Sequence, residues 1–141
     1  LDKTNSKFSK YSDLNNLLKK SDIVSINLNL NAKNKYFFNL KHLKKMKKNS
    51  ILINTSRGEI LNEKDLLYAL EKNIISKAAL DVLCDEDKSF NLNLKKFKKL
   101  IDSNKLIVTP HIAGTTIESL KKTSDFIMEI LSKHLIKNYK K

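Results

Sequence analysis

The sequence predicts an α/β fold in which short parallel strands alternate with helices. Three observations predict it. Short apolar runs alternate with segments in which Leu, Ile and Phe recur at helical spacing. Such alternation is typical of βαβ units, whose parallel sheet is covered by helices on both faces. The only arginine and proline, and both glycines, lie in two short segments that follow predicted strands.

Length and composition allow one domain, or part of a larger one. A chain of 141 residues with 40% hydrophobic residues can bury a core, and it is too apolar for a disordered protein. The single cysteine, Cys84, excludes an internal disulfide framework and suits a reducing, cytoplasmic compartment. No apolar run approaches the roughly 20 residues of a membrane span, so we expect no membrane partner. The chain lacks an initiator Met and starts within a pattern, so we expect a fragment.

The formal charge of +13 comes from lysines spread over nearly every helical segment. Lys, Asn and Ile are all frequent, which indicates a sequence-wide bias rather than a designed basic patch. Aromatic and basic residues do not interleave as they do where proteins stack nucleic-acid bases. We therefore expect no nucleic-acid partner, although a basic nucleic-acid binder remains an alternative.

The first half of the chain supplies two complete strands and two helices. Caps and apolar spacing place the helices, since Ser12 and Asn39 are favourable N-cap residues before Leu-containing segments. Residues 51–54 form a buried strand that stops at a polar, Gly-containing turn. The predicted elements are the end of a strand at 1–2, a helix ending near Lys20, a strand at 23–28, a helix after Asn39 and a strand at 51–54.

The second half repeats the alternation. Asn62 caps a helix whose first turn carries acids that complement the helix dipole. Pro110 ends the last strand, because proline cannot donate to a sheet hydrogen bond. The predicted elements are a helix with Leu66, Leu67 and Leu70 on its apolar face, a strand at 78–82, an acidic loop at 84–93, a short helix around Phe97 and Leu100, a strand at 106–109 and a helix at 116–137, with Ile117, Leu120, Ile127 and Leu131 on one side.

Polar residues follow three of the predicted strands. Arg57, Asp81, Glu86 and His111 lie at or just beyond the carboxyl ends of these strands. Ligands of parallel α/β sheets bind beyond this edge. We therefore expect these four side chains to converge on one crevice.

Arg57 stands where this lysine-rich chain would by default carry lysine. Its guanidinium offers a rigid fork of donors that suits a carboxylate. The pattern favours a bidentate contact to an anionic ligand, with a salt bridge to a neighbouring acid as the alternative.

His111 follows Pro110 directly and can carry a proton near neutral pH. A carboxylate beside it would fix its tautomer and favour the imidazolium. Glu86 is one candidate, but Asp85 and Asp87 are adjacent and equally acidic, so spacing alone does not choose. The other histidines, His42 and His134, lie on lysine-rich helices and are expected to face solvent. Cys84 is interpreted as a small loop or core residue rather than a nucleophile, and no metal-binding Cys/His cluster is present.

Three ordered motifs, with supporting segments at 21–25 and 46–53, cover nearly the whole chain. They are Ile53-Asn54-Thr55-Ser56-Arg57-Gly58, then Ala79-Leu80-Asp81-Val82 with Glu86 five residues beyond Asp81, then Thr109-Pro110-His111-Ile112-Ala113-Gly114. This combination resembles the NAD-binding domain of the D-isomer-specific 2-hydroxyacid dehydrogenases, most of all phosphoglycerate dehydrogenases. Glyoxylate/hydroxypyruvate reductases and D-lactate dehydrogenases share the motifs. The resemblance implies a Rossmann-like doubly wound parallel sheet in which residues 1–141 lack the first βα unit, the GxGxxG turn and the substrate domain.

The resemblance also implies a role for each site residue in NAD-dependent oxidation or reduction of 2-hydroxy and 2-oxo acids. Arg57 would hold the substrate carboxylate, His111 would be the acid/base, and Glu86 would orient His111 and raise its pKa. Asp81 would lie near the nicotinamide carboxamide, and Asp2 would bind the adenosine ribose and favour NAD over NADP. Thr55, Ser56 and the turn of Ile112, Ala113 and Gly114 would line the cofactor, and Arg57 and His111 would contact it as well.

Two departures from the family pattern concern loop geometry. Asp87 follows Glu86 where the family usually has proline, and Asn27 and Asn29 stand where it often has His or Cys followed by Pro. We expect the fragment alone to be inactive or nearly so and the complete protein to be an active homodimer. An alternative from another class is a dinucleotide-sensing corepressor that keeps the same fold and motif residues.

Overall fold

The structure is a computed structural model that describes residues 12–84 and 86–139, with side-chain surroundings for 12–84 and 94–134. The predicted strand end at residues 1–2, including Asp2, lies outside the described residues. The described chain divides after Pro110 into two compact units, and each is described by itself.

The first unit contains a four-stranded parallel sheet within the described residues. Its strands lie in the order β1-β2-β3-β4, and every neighbouring pair is parallel. The predicted parallel α/β fold is therefore confirmed. The strands are β1 (Ile23–Ile26), β2 (Ile51–Asn54), β3 (Lys77–Leu80) and β4 (Leu106–Val108). The helices of this unit are α1 (Leu14–Lys20), α2 (Leu40–Leu43), α3 (Glu63–Glu71) and α4 (Glu86–Asp102), with a 3-10 turn at Gly58–Ile60.

The hydrophobic core lies on one face of this sheet. Val24, Leu52, Ala78 and Leu106 are in register across the four strands, and all are buried. Among the described side chains, the four helices contribute seven buried residues to this core, namely Leu18, Leu43, Leu66, Ala69, Leu70, Phe97 and Leu100. The alternate positions of the strands are more exposed, with Ile23 and Ile107 at 58% and 64%.

Side-chain caps explain where the helices of the first unit begin. Asp13, rather than the predicted Ser12, caps α1 by accepting the backbone N–H of Asn16 at 3.1 Å. Asn39 and Asn62 cap α2 and α3 as predicted, accepting the N–H of Lys41 and of Asp65.

The predicted acidic loop at 84–93 is wrong, because α4 begins at Glu86 and runs to Asp102. Acids in the first turn of a helix interact favourably with its dipole, so an acidic run fits a helix start as well as a loop. Phe97 and Leu100, the residues expected to mark a short helix, are buried in the second half of α4.

The second unit contains one long helix, α5 (Ile117–Tyr139), close to the predicted range. Thr116 lies directly before it and accepts the backbone N–H of Ser119 on its side-chain oxygen at 3.1 Å. The apolar residues expected on one side of α5 are exposed, from 48% for Leu131 to 84% for Ile117. None of the helices in the described ranges is long and apolar enough to cross a membrane.

Candidate active site

The turn that carries Arg57 is built by a buried asparagine at the end of β2. Asn54 is fully buried, and its side-chain oxygen accepts both the backbone N–H (3.1 Å) and the hydroxyl (2.9 Å) of Ser56. Its side-chain amide donates to the carbonyl of Arg57 at 3.0 Å. Every polar atom of this side chain therefore fixes the two residues that lead out of the strand.

Arg57 projects from this turn at the carboxyl edge of the sheet. Its guanidinium donates to the carbonyl of the preceding Ser56 at 2.6 Å. Among the side chains that the structure describes, no carboxylate forms an ion pair with Arg57. The alternative of a salt bridge to a neighbouring acid thus finds no support in these residues.

A cavity of about 420 Å³ lies beside Arg57. Its walls come from the segments that follow β1 and β2, so it opens at the edge where ligands of parallel sheets bind. The lining residues are Asn27, Leu28, Asn29, Leu30, Ser56 and Arg57. A single guanidinium among amides and a hydroxyl gives this cavity the chemistry of a site for a small anion.

Gly58 brings this turn against the segment that follows β3. A methyl group at Gly58 would lie 2.1 Å from the backbone carbonyl carbon of Leu83 and 2.4 Å from the backbone nitrogen of Cys84. The φ angle of Gly58 is not positive, so close backbone approach, and not unusual torsion, requires glycine here. The Arg57 turn therefore packs directly against the segment that follows Asp81.

Asp81 is buried directly after β3, with 5% of its surface exposed. Its backbone N–H donates to the carbonyl of Asn54, and its carboxylate accepts the hydroxyl of Thr109 at 2.5 Å. These bonds tie the carboxyl ends of β2, β3 and β4 together. Asp81 is thus fixed at the same edge of the sheet as Arg57.

Glu63 is a second buried carboxylate, in the first turn of α3. One oxygen accepts the backbone N–H of Cys84 at 2.6 Å, and the other accepts the ammonium of Lys96 at 2.5 Å. These charge-assisted bonds offset the cost of burying the carboxylate. They join α3 to the segment between β3 and α4.

Cys84 is half-buried in this segment. Burial, followed by the negative charges of Glu63 and Glu59, raises the pKa of the Cys84 thiol to about 12. Its Sγ donates to the carbonyl of Leu61 at 3.8 Å. A thiol that stays protonated at neutral pH is a poor nucleophile, which agrees with the interpretation of Cys84 as a structural residue.

His111 and the residues after it belong to the second unit. His111 is exposed and has a left-handed backbone, with φ of 55°. Non-glycine residues adopt this region at a cost, and such torsions concentrate at functional turns. The turn closes through bonds from the backbone N–H and the hydroxyl of Thr115 to the carbonyl of Ile112, both 3.0 Å.

The structure thus brings together part of the predicted site. Thr55, Ser56, Arg57 and Asp81 follow adjacent strands at one edge of the first unit. Glu86 is the first residue of α4, but its side chain lies outside the described ones, as does all of Asp2. The convergence of His111, Ala113 and Gly114 with Arg57 stays a prediction.

Sequence reasoning missed three residues that shape this edge, Asn54, Glu63 and Thr109. A polar residue ending a buried strand was the available signal for Asn54, but its partners depend on the turn geometry.

His42 was expected to face solvent, and that is wrong. Its ring lies 4.8 Å from that of Phe37 and 5.5 Å from that of Phe38. Burial, with the charges of two neighbouring lysines, lowers the pKa of His42.

Comparison with known proteins gives a family match over most of the chain. Residues 2–113 match the family described as D-isomer specific 2-hydroxyacid dehydrogenase, NAD binding domain. The chain is 39% identical to a glyoxylate reductase of Thermofilum pendens, an alignment that covers 82% of the chain and 32% of that protein. It is 36% identical to a protein of Staphylococcus epidermidis named putative 2-hydroxyacid dehydrogenase, covering 91% of the chain and 37% of that protein.

Solved structures give the same result. A D-lactate dehydrogenase of Lactobacillus jensenii, crystallised with NAD+, superposes with a TM-score of 0.73 at 35% identity, covering 79% of this chain and 36% of that one. A D-isomer specific 2-hydroxyacid dehydrogenase of Lactobacillus delbrueckii ssp. bulgaricus, in its NAD complex, gives 0.76 at 30% identity, covering 87% and 41%. The chain spans about a third of the length of the curated relatives that it matches, 32% and 37% in the two cases above.

Proposed function

Because the chain belongs to the D-isomer specific 2-hydroxyacid dehydrogenase family through its NAD-binding domain, we propose that the complete protein is an NAD-dependent oxidoreductase of D-2-hydroxy acids. We further propose the phosphoglycerate dehydrogenase or hydroxypyruvate/glyoxylate reductase type, with a small 2-oxo acid as the substrate to be reduced. The relatives reported above are named as reductases and dehydrogenases, which favours an enzyme over a dinucleotide-sensing corepressor.

The observation that carries this proposal is the placement of Arg57. Its guanidinium has no carboxylate partner among the described side chains and lines a polar cavity at the ligand-binding edge of a parallel sheet. A 2-oxo acid offers a planar carboxylate that such a guanidinium can bind through two parallel hydrogen bonds.

Residues in each of the two units have chemistry that fits the dinucleotide cofactor. Asp81 supplies a buried, fixed carboxylate that can accept from an amide, and Thr55 and Ser56 follow the adjacent strand. A Cβ atom built at Gly114 would have no heavy atom of the described residues within 4 Å. A ligand can therefore approach the backbone of Gly114 closely. We propose that Asp81 holds the nicotinamide carboxamide, that Asp2 holds the adenosine ribose, and that Thr55, Ser56, Ala113 and Gly114 line the cofactor.

The protein's part in the reaction is orientation and proton transfer. When bound, the NAD cofactor would supply the hydride acceptor for oxidation of the hydroxy acid or, in its reduced form, the hydride donor for reduction of the oxo acid. Arg57 fixes the carboxylate of the substrate, and His111 exchanges a proton with the substrate oxygen. Glu86 holds the imidazole of His111 in one tautomer and favours its protonated form.

Two variants of the complete protein test this proposal. His111→Gln should lower kcat by about 10²–10⁴, because the acid/base group is lost, while the Kd for NADH stays near the native value. Arg57→Lys should mainly raise KM for the 2-oxo acid, since an ammonium cannot make the bidentate contact. Native turnover in the first variant would refute the mechanism, and a native KM in the second would remove Arg57 from substrate binding.

The domain organisation is part of the proposal. We propose that residues 1–141 form part of one NAD-binding domain, which agrees with their coverage of about a third of the relatives. The complete protein is expected to be a homodimer. Size-exclusion chromatography with light scattering measures its mass directly, and a monomeric mass at micromolar concentration would contradict this expectation.

A further inference from the structure

Glu63 is a buried charged residue to which the proposed reaction gives no role. Its side chain is 8% exposed, whereas the exposed fractions of the carboxylates in the ion pairs Lys47–Asp22, Lys98–Asp102 and Lys133–Glu129 are 85%, 59% and 60%. An ionised carboxylate is costly to bury unless its oxygens are paired. The groups that bind the two oxygens of Glu63 therefore indicate which segments the buried carboxylate holds in place.

The two partners of Glu63 lie on either side of Glu86 in the sequence. Cys84, whose backbone N–H donates to one oxygen of Glu63, is the second residue before Glu86. Lys96, whose ammonium donates to the other oxygen, lies in α4, the helix that Glu86 begins. One carboxylate thus holds both the segment that enters α4 and the body of that helix.

The same residue connects this segment to the Arg57 turn. Glu63 begins α3, which follows the 3-10 turn Gly58–Ile60 with only two residues between them. The backbone of Gly58 packs against Leu83 and Cys84, and the carbonyl of Leu61 accepts the Cys84 thiol. We call the contact between the Arg57 turn and the segment after β3 the junction. Gly58 allows close backbone packing there, and Glu63 adds charge-assisted hydrogen bonds.

We propose that Glu63 is a positioning residue that fixes the start of α4, and with it Glu86, relative to the Arg57 turn. This inference rests on the proposed function, in which Glu86 orients His111. Loss of the carboxylate loosens α4, so Glu86 no longer holds the acid/base group in one place. Binding of the substrate carboxylate by Arg57 is left intact.

Glu63→Gln is the most discriminating substitution. The amide keeps one oxygen for the N–H of Cys84, but it turns an NH₂ group toward the ammonium of Lys96, so a donor faces a donor. In the complete protein, assayed well below its Tm, kcat should fall about tenfold, since a misplacement of 1 Å can cost about 100-fold. KM for NADH and for the 2-oxo acid should stay within about twofold, because these contacts are unchanged.

Lys98→Gln is the matched control. It removes an exposed ion pair with Asp102 on the same helix, at 2.8 Å, without touching the junction. This variant should keep the native kcat. A Glu63→Gln variant with a lower Tm and the native kcat would show a merely structural role and overturn the inference.

A double-mutant cycle separates this inference from the proposed function. If Glu63 acts through Glu86, then Glu63→Gln causes no further loss of kcat in a Glu86→Gln background. Additive losses would overturn the inference and leave the proposed function standing. Native turnover in Glu86→Gln alone would refute the proposed role of Glu86 and the inference with it.

A second variant keeps the test decisive if Glu63→Gln does not fold. Lys96→Gln removes the other partner, whose side chain is 37% exposed and therefore tolerates substitution better. It should lower kcat in the same direction by a smaller factor, again without changing either KM and again without further effect in the Glu86→Gln background. Native kcat in Lys96→Gln would overturn the inference.

Discussion

The two glycines of this chain lie in turns of opposite character. At Gly58 a methyl group would meet backbone atoms of Leu83 and Cys84 at 2.1–2.4 Å. At Gly114 it would meet no heavy atom of the described residues within 4 Å, and the φ angle there is not positive. The fold itself requires glycine at the first position and does not require it at the second.

The two turns keep their glycines for different physical reasons. The turn that carries Arg57 is fixed on several sides, by the buried side chain of Asn54 and by close backbone packing at Gly58. The turn after His111 is exposed and carries a left-handed histidine. Where packing does not explain a glycine, we expect the reason in what binds there, and four substitutions test this contrast.

Gly58→Ala should have the largest effect on stability. The added methyl group would overlap backbone atoms, which cannot move aside as a flexible side chain can, so we expect a loss of at least about 3 kcal/mol. Thermal or urea unfolding followed by circular dichroism measures the loss. A change below about 1 kcal/mol would show that the junction at Leu83 and Cys84 can relax, and the contrast with Gly114 would fail.

Asn54→Ala should be next. It removes three part-buried hydrogen bonds, to the N–H and hydroxyl of Ser56 and to the carbonyl of Arg57, which together cost about 2–3 kcal/mol. The matched control is Asn27→Ala. Asn27 is an exposed residue that follows the neighbouring strand and bonds only locally to Ser25 among the described residues, so its loss should stay within about 0.5 kcal/mol. Equal losses in the two variants would contradict the role of Asn54 in fixing the turn.

Thr116→Ala tests the exposed region. Loss of the bond from the Ser119 N–H to the Thr116 hydroxyl should cost about 1 kcal/mol and free the first turn of α5. Hydrogen exchange of the amides at the start of α5 locates the effect. Thr123→Ala, an exposed change within the same helix, is the control and should not weaken protection there, because alanine has the higher helix propensity. If the amides at the start of α5 were equally protected in the two variants, Thr116 would not act as the N-cap of this helix.

Gly114→Ala should have the smallest effect on stability, within about 0.5 kcal/mol of the native protein. If the cofactor approaches the backbone of Gly114 as proposed, the same variant should bind NADH more weakly in a fluorescence titration of the complete protein. Unchanged stability with an unchanged Kd would mean that Gly114 does not contact the cofactor. A large loss of stability would mean that the two turns are alike after all.

The local elements of this protein follow from residues that are neighbours in the sequence. Apolar runs and caps located β2, the start of α3 and the helical segment around Phe97 and Leu100, because strand pleating, capping and helical spacing depend on neighbours in sequence. The three ordered motifs, around Arg57, Asp81 and His111, together gave the family and the candidate residues. The acidic run after Cys84 was misjudged, since its residues suit a loop and the first turn of a helix equally.

The position of the core and the contacts around Gly58 and Glu63 depend on the tertiary structure. The sequence did not show that the core lies on the face of Val24 and Leu52, nor that a carboxylate in α3 holds Cys84 and Lys96 across more than 20 residues of chain. The sequence showed that Gly58 is one of only two glycines, but it did not show that backbone packing against Leu83 and Cys84 requires glycine there. Close backbone approach and buried ion pairs join residues that are distant in sequence, so they exist only once the strands are aligned and the helices packed.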